Sequence, residues 1–176
     1  MLIASSVPRL YAGSVTYCYS GNPFAFVFAS PFTTEDRITG CFTAPAIPDG
    51  ATFLAVDPSS YSFTDGVDIL ADANSFPNVF NFSTDPITGA ITNWQIQLWT
   101  PGGTANEFPE FDSIKNGGAS SDLVYAANGS GGAVVAFDPG TWASSPEPSA
   151  FFLLPLGLAA LAGVRLLRSN FWTQRL

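Results

Sequence analysis

Residues 90–100 alternate with the period of a strand. Ile91, Asn93, Gln95 and Gln97 point one way, and Thr92, Trp94, Ile96 and Leu98 the other. One face is therefore apolar and the other mostly polar, as a half-buried strand requires. Just before it, Asp85-Pro86-Ile87-Thr88-Gly89 reads as a hairpin loop that pairs residues 78–84 with 90–98. A second hairpin is expected over residues 61–70, around Asp65-Gly66. Further short β-branched or aromatic runs lie at 13–20, 24–28, 37–43, 51–56, 122–127 and 133–138, each bounded by Gly, Pro, Asn or Asp turn residues. No stretch before Ser149 shows capped helical periodicity. The expected architecture of residues 13–143 is all-β, an antiparallel β-sandwich or flattened barrel.

Charge narrows what such a domain can bind. Residues 1–145 carry thirteen acids against Arg9, Arg37 and Lys115, a net charge of −10. Nucleic acid phosphates need clustered Lys and Arg, so no nucleic-acid partner is expected. The length suits one domain with a core of its own. Cys18 and Cys41 are the only cysteines. If strands 13–19 and 37–43 pair with 18 opposite 41, Tyr17 faces Phe42 and Tyr19 faces Gly40. Outside the cytoplasm such a pair is expected to oxidise. The alternative is two reduced cysteines buried as small apolar groups.

The C-terminal segment differs in kind. After Ser144-Ser145-Pro146-Glu147-Pro148-Ser149, residues 150–164 hold no charge, and Arg165, Arg168 and Arg175 follow. Fifteen helical residues span roughly 22 Å, short of a ~30 Å hydrocarbon core. A snorkelling Arg165 adds Leu166 and Leu167, which brings the span to roughly 27 Å. We expect one transmembrane helix at 150–168, with Phe171 and Trp172 at the interface. The arginines put residues 169–176 in the cytoplasm and the β domain outside. Proline removes a donor and fixes φ, so residues 144–149 are expected to form an extended stalk. Residues 1–12 read as the remnant of a truncated signal peptide and leader, because Met1–Val7 is too short for a complete apolar stretch.

Pro146-Glu147-Pro148, an apolar helix and an arginine-containing end together resemble the PEP-CTERM sorting signal of Gram-negative bacteria, over about residues 145–176. The resemblance implies recognition and cleavage by an exosortase, a membrane enzyme with a catalytic cysteine. Pro146, Glu147 and Pro148 would be its recognition motif, and Arg165 and Arg168 the topology stop. It also implies passage through the inner membrane with the domain in the periplasm, then release or attachment at the cell surface, often alongside exopolysaccharide. The family's arginines usually form a tight cluster near the end, whereas here they are spaced and the chain runs on to Leu176. Residues 19–24, 36–43, 61–66 and 139–142 also resemble recurrent elements of uncharacterised domains that precede such signals, a likeness that implies no activity.

The chain has no histidine, which removes a Ser-His-Asp triad, a Cys-His pair and the usual zinc sites. No nucleophile elbow, phosphate loop or dinucleotide fingerprint appears. No cofactor, metal site or catalytic residue is expected. Glu107, Glu110 and Asp112 are the concentrated carboxylates, but around two phenylalanines and a proline they read as a solvated loop. Asp65, Asp68 and Asp72 miss the Ca²⁺-loop spacing and read as an acidic turn. Asn81-Phe82-Ser83 and Asn128-Gly129-Ser130 match a glycosylation sequon, a weak signal.

Two function classes remain. One is a non-enzymatic surface or matrix protein that acts by binding or assembly, with Trp99 and Trp142 as exposed platforms that could stack on sugars and Trp94 in the core. The other is a small secreted carbohydrate-active enzyme using a carboxylate pair. The first is the expectation.

Overall fold

Alternating strands with one apolar face must bury it against another such face, and this chain does so with two sheets. The computed structural model describes residues 13–101, 111–126 and 131–146. Their strands are β1 (Ser14–Ser20), β2 (Phe26–Ala29), β3 (Thr39–Pro45), β4 (Leu54–Ala55), β5 (Ser60–Thr64), β6 (Ile69–Ala71), β7 (Phe76–Thr84), β8 (Ile91–Trp99), β9 (Phe111–Asn116), β10 (Ala119–Tyr125), β11 (Gly132–Ala136) and β12 (Thr141–Pro146). A five-stranded sheet has the order β12-β1-β3-β5-β6, and a seven-stranded sheet the order β2-β11-β10-β9-β8-β7-β4. This is a β-sandwich with antiparallel sheets, not a barrel.

Both expected hairpins form. β7 pairs with β8, with Phe82 opposite Trp94 and Phe80 opposite Ile96. Trp94, Ile96 and Leu98 are buried, while Thr92 on the same side is exposed at the hairpin end. Asp85 closes the loop by accepting the N–H groups of Ile87 and Thr88 and the Thr88 hydroxyl, and those bonds hold its carboxyl below the usual range. β5 pairs with β6. In their turn the Asp65 carboxylate accepts the N–H groups of Val67 and Asp68 at 2.8 and 2.7 Å.

The core is aromatic. Phe42 of β3 lies against Phe80 and Phe82 of the facing sheet, with ring centroids 5.2 and 5.0 Å apart. Phe63 meets Phe111 at 5.3 Å, again across the two sheets. Burying each such ring contributes about 1.5–3 kcal/mol, and the pairing geometry adds roughly 0.5–1.5 kcal/mol.

Two strands differ from the expectation. β9 occupies residues 111–116, where the acidic loop and a Gly-rich turn were expected. Its pattern is hidden because Ser113, a polar residue, points into the core at 0% exposure. β12 continues through Pro146, three residues into the expected stalk. It is an edge strand, and proline at the end of an edge strand costs no ladder bond. Residues 1–12, the remainder of the stalk from Glu147, the expected helix at 150–168 and the tail at 169–176 lie outside the described residues. Among the described residues no helix is long and apolar enough to cross a membrane.

β1 and β3 pair with Cys18 opposite Cys41, Tyr17 opposite Phe42 and Tyr19 opposite Gly40. The cysteines form a disulfide across 23 residues of chain, and the Tyr17 and Phe42 rings stack beside it at 5.0 Å. Closing a loop of that length restricts the unfolded chain by roughly 3 kcal/mol in the chain-entropy account. The double substitution Cys18→Ser, Cys41→Ser should lower the urea midpoint by a corresponding amount. Two free thiols in the denatured, unreduced protein would overturn the pairing.

Candidate functional site

Two of the buried polar residues, Ser113 and Asp122, share one hydrogen-bond network with Tyr19. Asp122 lies on β10 two residues before Val124, on the face that points inward, and it is 0% exposed. The Tyr19 hydroxyl reaches it from the opposite sheet and donates to Oδ1 and Oδ2 at 2.8 and 2.7 Å. The Ser113 hydroxyl of β9 donates to Oδ1 at 2.7 Å. Trp94 of β8 donates its indole N–H to Ser113 at 2.8 Å, and the Gly140 N–H donates to the Tyr19 oxygen at 2.6 Å. Every donor in this chain is aimed toward Asp122, and none is a cation.

Two glycines let the backbone close around that network. A Cβ on Gly21 would stand 2.7 Å from Asp122 Oδ2 and 2.7 Å from the Ile38 carbonyl. A Cβ on Gly140 would overlap the Ser20 carbonyl oxygen. The role of both is close approach.

Burial pushes the Asp122 carboxyl up to about 6, against the bonds from Ser113, Tyr19 and Gly140, which lower it. Burial and the negative charge of Asp122 push the Tyr19 phenol well above its ordinary value, so it remains a donor. The network is a structural tie between the sheets. Asp122 has no accessible surface from which to meet a substrate.

Trp142 is corrected by the structure. It was expected as an exposed platform, but its ring packs among Tyr19, Phe42, Phe63, Phe82 and Trp94, at centroid distances of 4.9 to 6.5 Å. The aromatic pocket between the sheets takes it because β12 hydrogen-bonds beside β1. Trp94 lies in the core as expected, with Lys115 Nζ 5.5 Å from its ring centroid. Trp99 is half-buried on the outer face of the seven-stranded sheet, opposite Phe76 in register.

That outer face carries the second polar constellation. Asn78 Nδ2 donates to Gln97 Oε1 at 3.1 Å, and Gln97 Nε2 donates to Asp112 Oδ2 at 3.2 Å. Asp112 Oδ1 is buried and has no partner, and the indole N–H of Trp99 is buried without one as well. Burial raises the Asp112 carboxyl above its usual range, and the Gln97 bond opposes the shift. Beside the ladder an open groove of about 360 Å³ runs between residues 55–58 and 77–81, with Asn78 in its wall.

Of the acidic trio, only Asp112 is described; Glu107 and Glu110 lie outside the described residues, as do Asn128-Gly129-Ser130, Glu147, Pro148, Arg165 and Arg168. Asp65, Asp68 and Asp72 do not converge, and among the described residues no three His, Cys, Asp or Glu side chains are placed to hold a metal ion. Asp122 was missed in the sequence, although its place in the 122, 124, 126 series of an inward face was a readable signal. The fold defines an all-β sandwich domain with a satisfied buried carboxylate and, among the described residues, buried polar atoms without a partner both on the outer face and at Trp142 Nε1 between the sheets. No family model, curated protein or solved structure matches the chain.

The raised Asp122 carboxyl makes stability depend on pH in a defined direction. The folded state holds this proton up to about 6, while the ordinary value is 3.8. Its contribution is therefore complete below about pH 4 and lost as pH rises through about 6, a change of about 3 kcal/mol. Asp65 and Asp112 shift the same way, so the comparison must isolate one residue. Asp122→Asn keeps an acceptor for Tyr19 and Ser113 but cannot titrate. Its urea-unfolding free energy should fall less than wild type's between pH 4 and 7.5, by up to about 3 kcal/mol. Parallel profiles would overturn the assignment.

Proposed function

We propose that this chain is an exported, non-enzymatic cell-surface or extracellular-matrix protein. Its β domain acts by binding, and its C-terminal segment is a PEP-type sorting signal cut by an exosortase-type membrane enzyme. The observation that carries this reading is the order of the last thirty residues: Pro146-Glu147-Pro148, the uncharged run at 150–164, then Arg165 and Arg168. Before processing the protein sits in the inner membrane with its domain in the periplasm. Afterwards it is at the surface or in the matrix, associated with exopolysaccharide.

Three features of the domain support the reading. The chain reaches the motif from an edge strand, where a processing enzyme meets extended backbone with no further strand beside it. A disulfide ties β1 to β3, the kind of staple that persists in oxidising compartments. The two fully buried carboxylates, Asp65 and Asp122, both accept structural hydrogen bonds, from the turn N–H groups of Val67 and Asp68 and from Tyr19 and Ser113.

Expression of the full chain in a host with an exosortase should yield a mature protein whose C-terminus, by mass spectrometry, lies close to Pro146–Pro148. Glu147→Ala should accumulate uncut in the inner membrane. Recovery of wild type intact through Leu176 would sink the processing claim. Incubation with the host's polymer should leave polymer length unchanged; release of shorter sugars would instead favour a carboxylate-dependent enzyme.

A further inference from the structure

An edge strand leaves one row of backbone N–H and C=O groups unpaired, and soluble proteins guard such edges with charge, proline or brevity. Three of the four sheet edges among the described residues carry a guard of that kind. β6 lies between Asp68 and Asp72, β4 is two residues long with Asp57 two positions beyond it, and β12 ends in Pro146. β2 closes the seven-stranded sheet, and among the described residues β11 is its only strand neighbour. It is short, but no charge protects it. Residues 14–34 hold no Asp, Glu, Lys or Arg, although residues 1–145 carry a net charge of −10.

The same strand displays its largest side chains. Phe26 is 60% exposed and Phe28 53%, whereas Val27 between them packs against the core. Both rings therefore stand on the outer face of the sheet. They are also held in place: the rings meet edge to face at 5.4 Å, and Phe28 lies over Gly132, where an added Cβ would stand 3.2 Å from its ring. The flanking Phe24 and Phe32 are buried and meet each other at 6.2 Å. What β2 shows to solvent is one ordered pair of rings beside a free backbone edge, the form of a docking surface.

The sequence of the strand selects its partner. Ala25-Phe26-Val27-Phe28-Ala29 reads the same in both directions about Val27. An antiparallel strand of the same sequence therefore fits it in register, with Val27 opposite the partner's Val27 and Phe26 opposite the partner's Phe28. One two-fold axis through Val27 serves both copies, as an isologous contact requires. Directly opposed side chains point to the same face, so the phenylalanines of both copies gather into one cluster.

We propose that two copies of this domain associate edge to edge through β2, antiparallel about Val27. The pairing hydrogen-bonds the free backbone edge, joins the two seven-stranded sheets into one, and packs Phe26 of each copy against the partner's Phe28. No like charges oppose each other along the joined strands. The contact stands at the low end of specific interfaces, below ~1,200 Å² of total buried surface, so association is weak and reversible. It is independent of the sorting signal and gives the domain a partner of its own kind.

Sedimentation velocity of the full chain in density-matched mild detergent reads this association. Wild type should shift from monomer toward dimer as its concentration rises through the micromolar range. Because position 26 faces position 28, charge can test the register. Phe26→Lys combined with Phe28→Lys opposes like charges and should weaken dimerisation about tenfold or more. Phe26→Lys combined with Phe28→Glu sets opposite charges face to face in both copies and should recover part of that loss. Ile69→Lys, at the edge of the other sheet, should leave dimerisation unchanged. All three positions are exposed, so the fold is kept, which circular dichroism would verify. A wild type that stays monomeric, or dimers that survive the lysine pair, would overturn the pairing. Equal loss in the Lys–Lys and Lys–Glu variants, or an equal loss with Ile69→Lys, would overturn its register and site.

Discussion

A carboxylate with no cation beside it is the constraint around which this sandwich is arranged. Removing a carboxylate from water costs several kcal/mol unless hydrogen bonds replace its hydration. Asp122 receives that replacement from Tyr19 and Ser113, and those donors are themselves held by Gly140 and Trp94. The participating residues come from β1, β8, β9, β10 and the approach to β12. A shift of one residue in any of those strands would turn its member away from the carboxylate. Hydrophobic burial drives the two sheets together, but many arrangements would bury Phe and Trp. The network selects one register among them.

The same region fastens the last strand. Trp142 lies among five aromatic rings from both sheets, and Gly140, two residues earlier, donates to Tyr19. β12 is short and sits at an edge, a position with low intrinsic stability. Beyond its pairing with β1, this indole and this backbone bond dock it against the core. The consequence is physical: the backbone is anchored as far as the start of Pro146-Glu147-Pro148.

Local pattern made much of this fold legible. The alternation of residues 91–98 gave the correct inward face, the Asp85 and Asp65 turns gave both hairpins, and opposing Cys18 to Cys41 gave the β1–β3 register. What escaped were features decided by distant partners. Ser113 looked like a loop residue because its reason for being inside is Trp94 on one strand and Asp122 on another. Trp142 looked like a surface residue because the pocket that holds it is assembled from β1, β3, β5, β7 and β8. Asp112 was legible as a carboxylate of interest, but its link to Gln97 appears only once β8 and β9 are paired.

Asp112 and Asp122 sit ten residues apart in sequence, on adjacent strands and opposite faces of one sheet, and they differ in how the fold satisfies them. Burial raises both carboxyls. A raised carboxyl therefore distinguishes nothing by itself, since desolvation acts on either face. Satisfaction does distinguish them. Both oxygens of Asp122 accept bonds and the residue is sealed between the sheets, so its protein partners complete it. Asp112 has one oxygen tied to an amide ladder and the other buried without a partner. Selection for stability alone would favour replacing such a group or pairing it, because an unsatisfied buried acceptor costs about 1–3 kcal/mol.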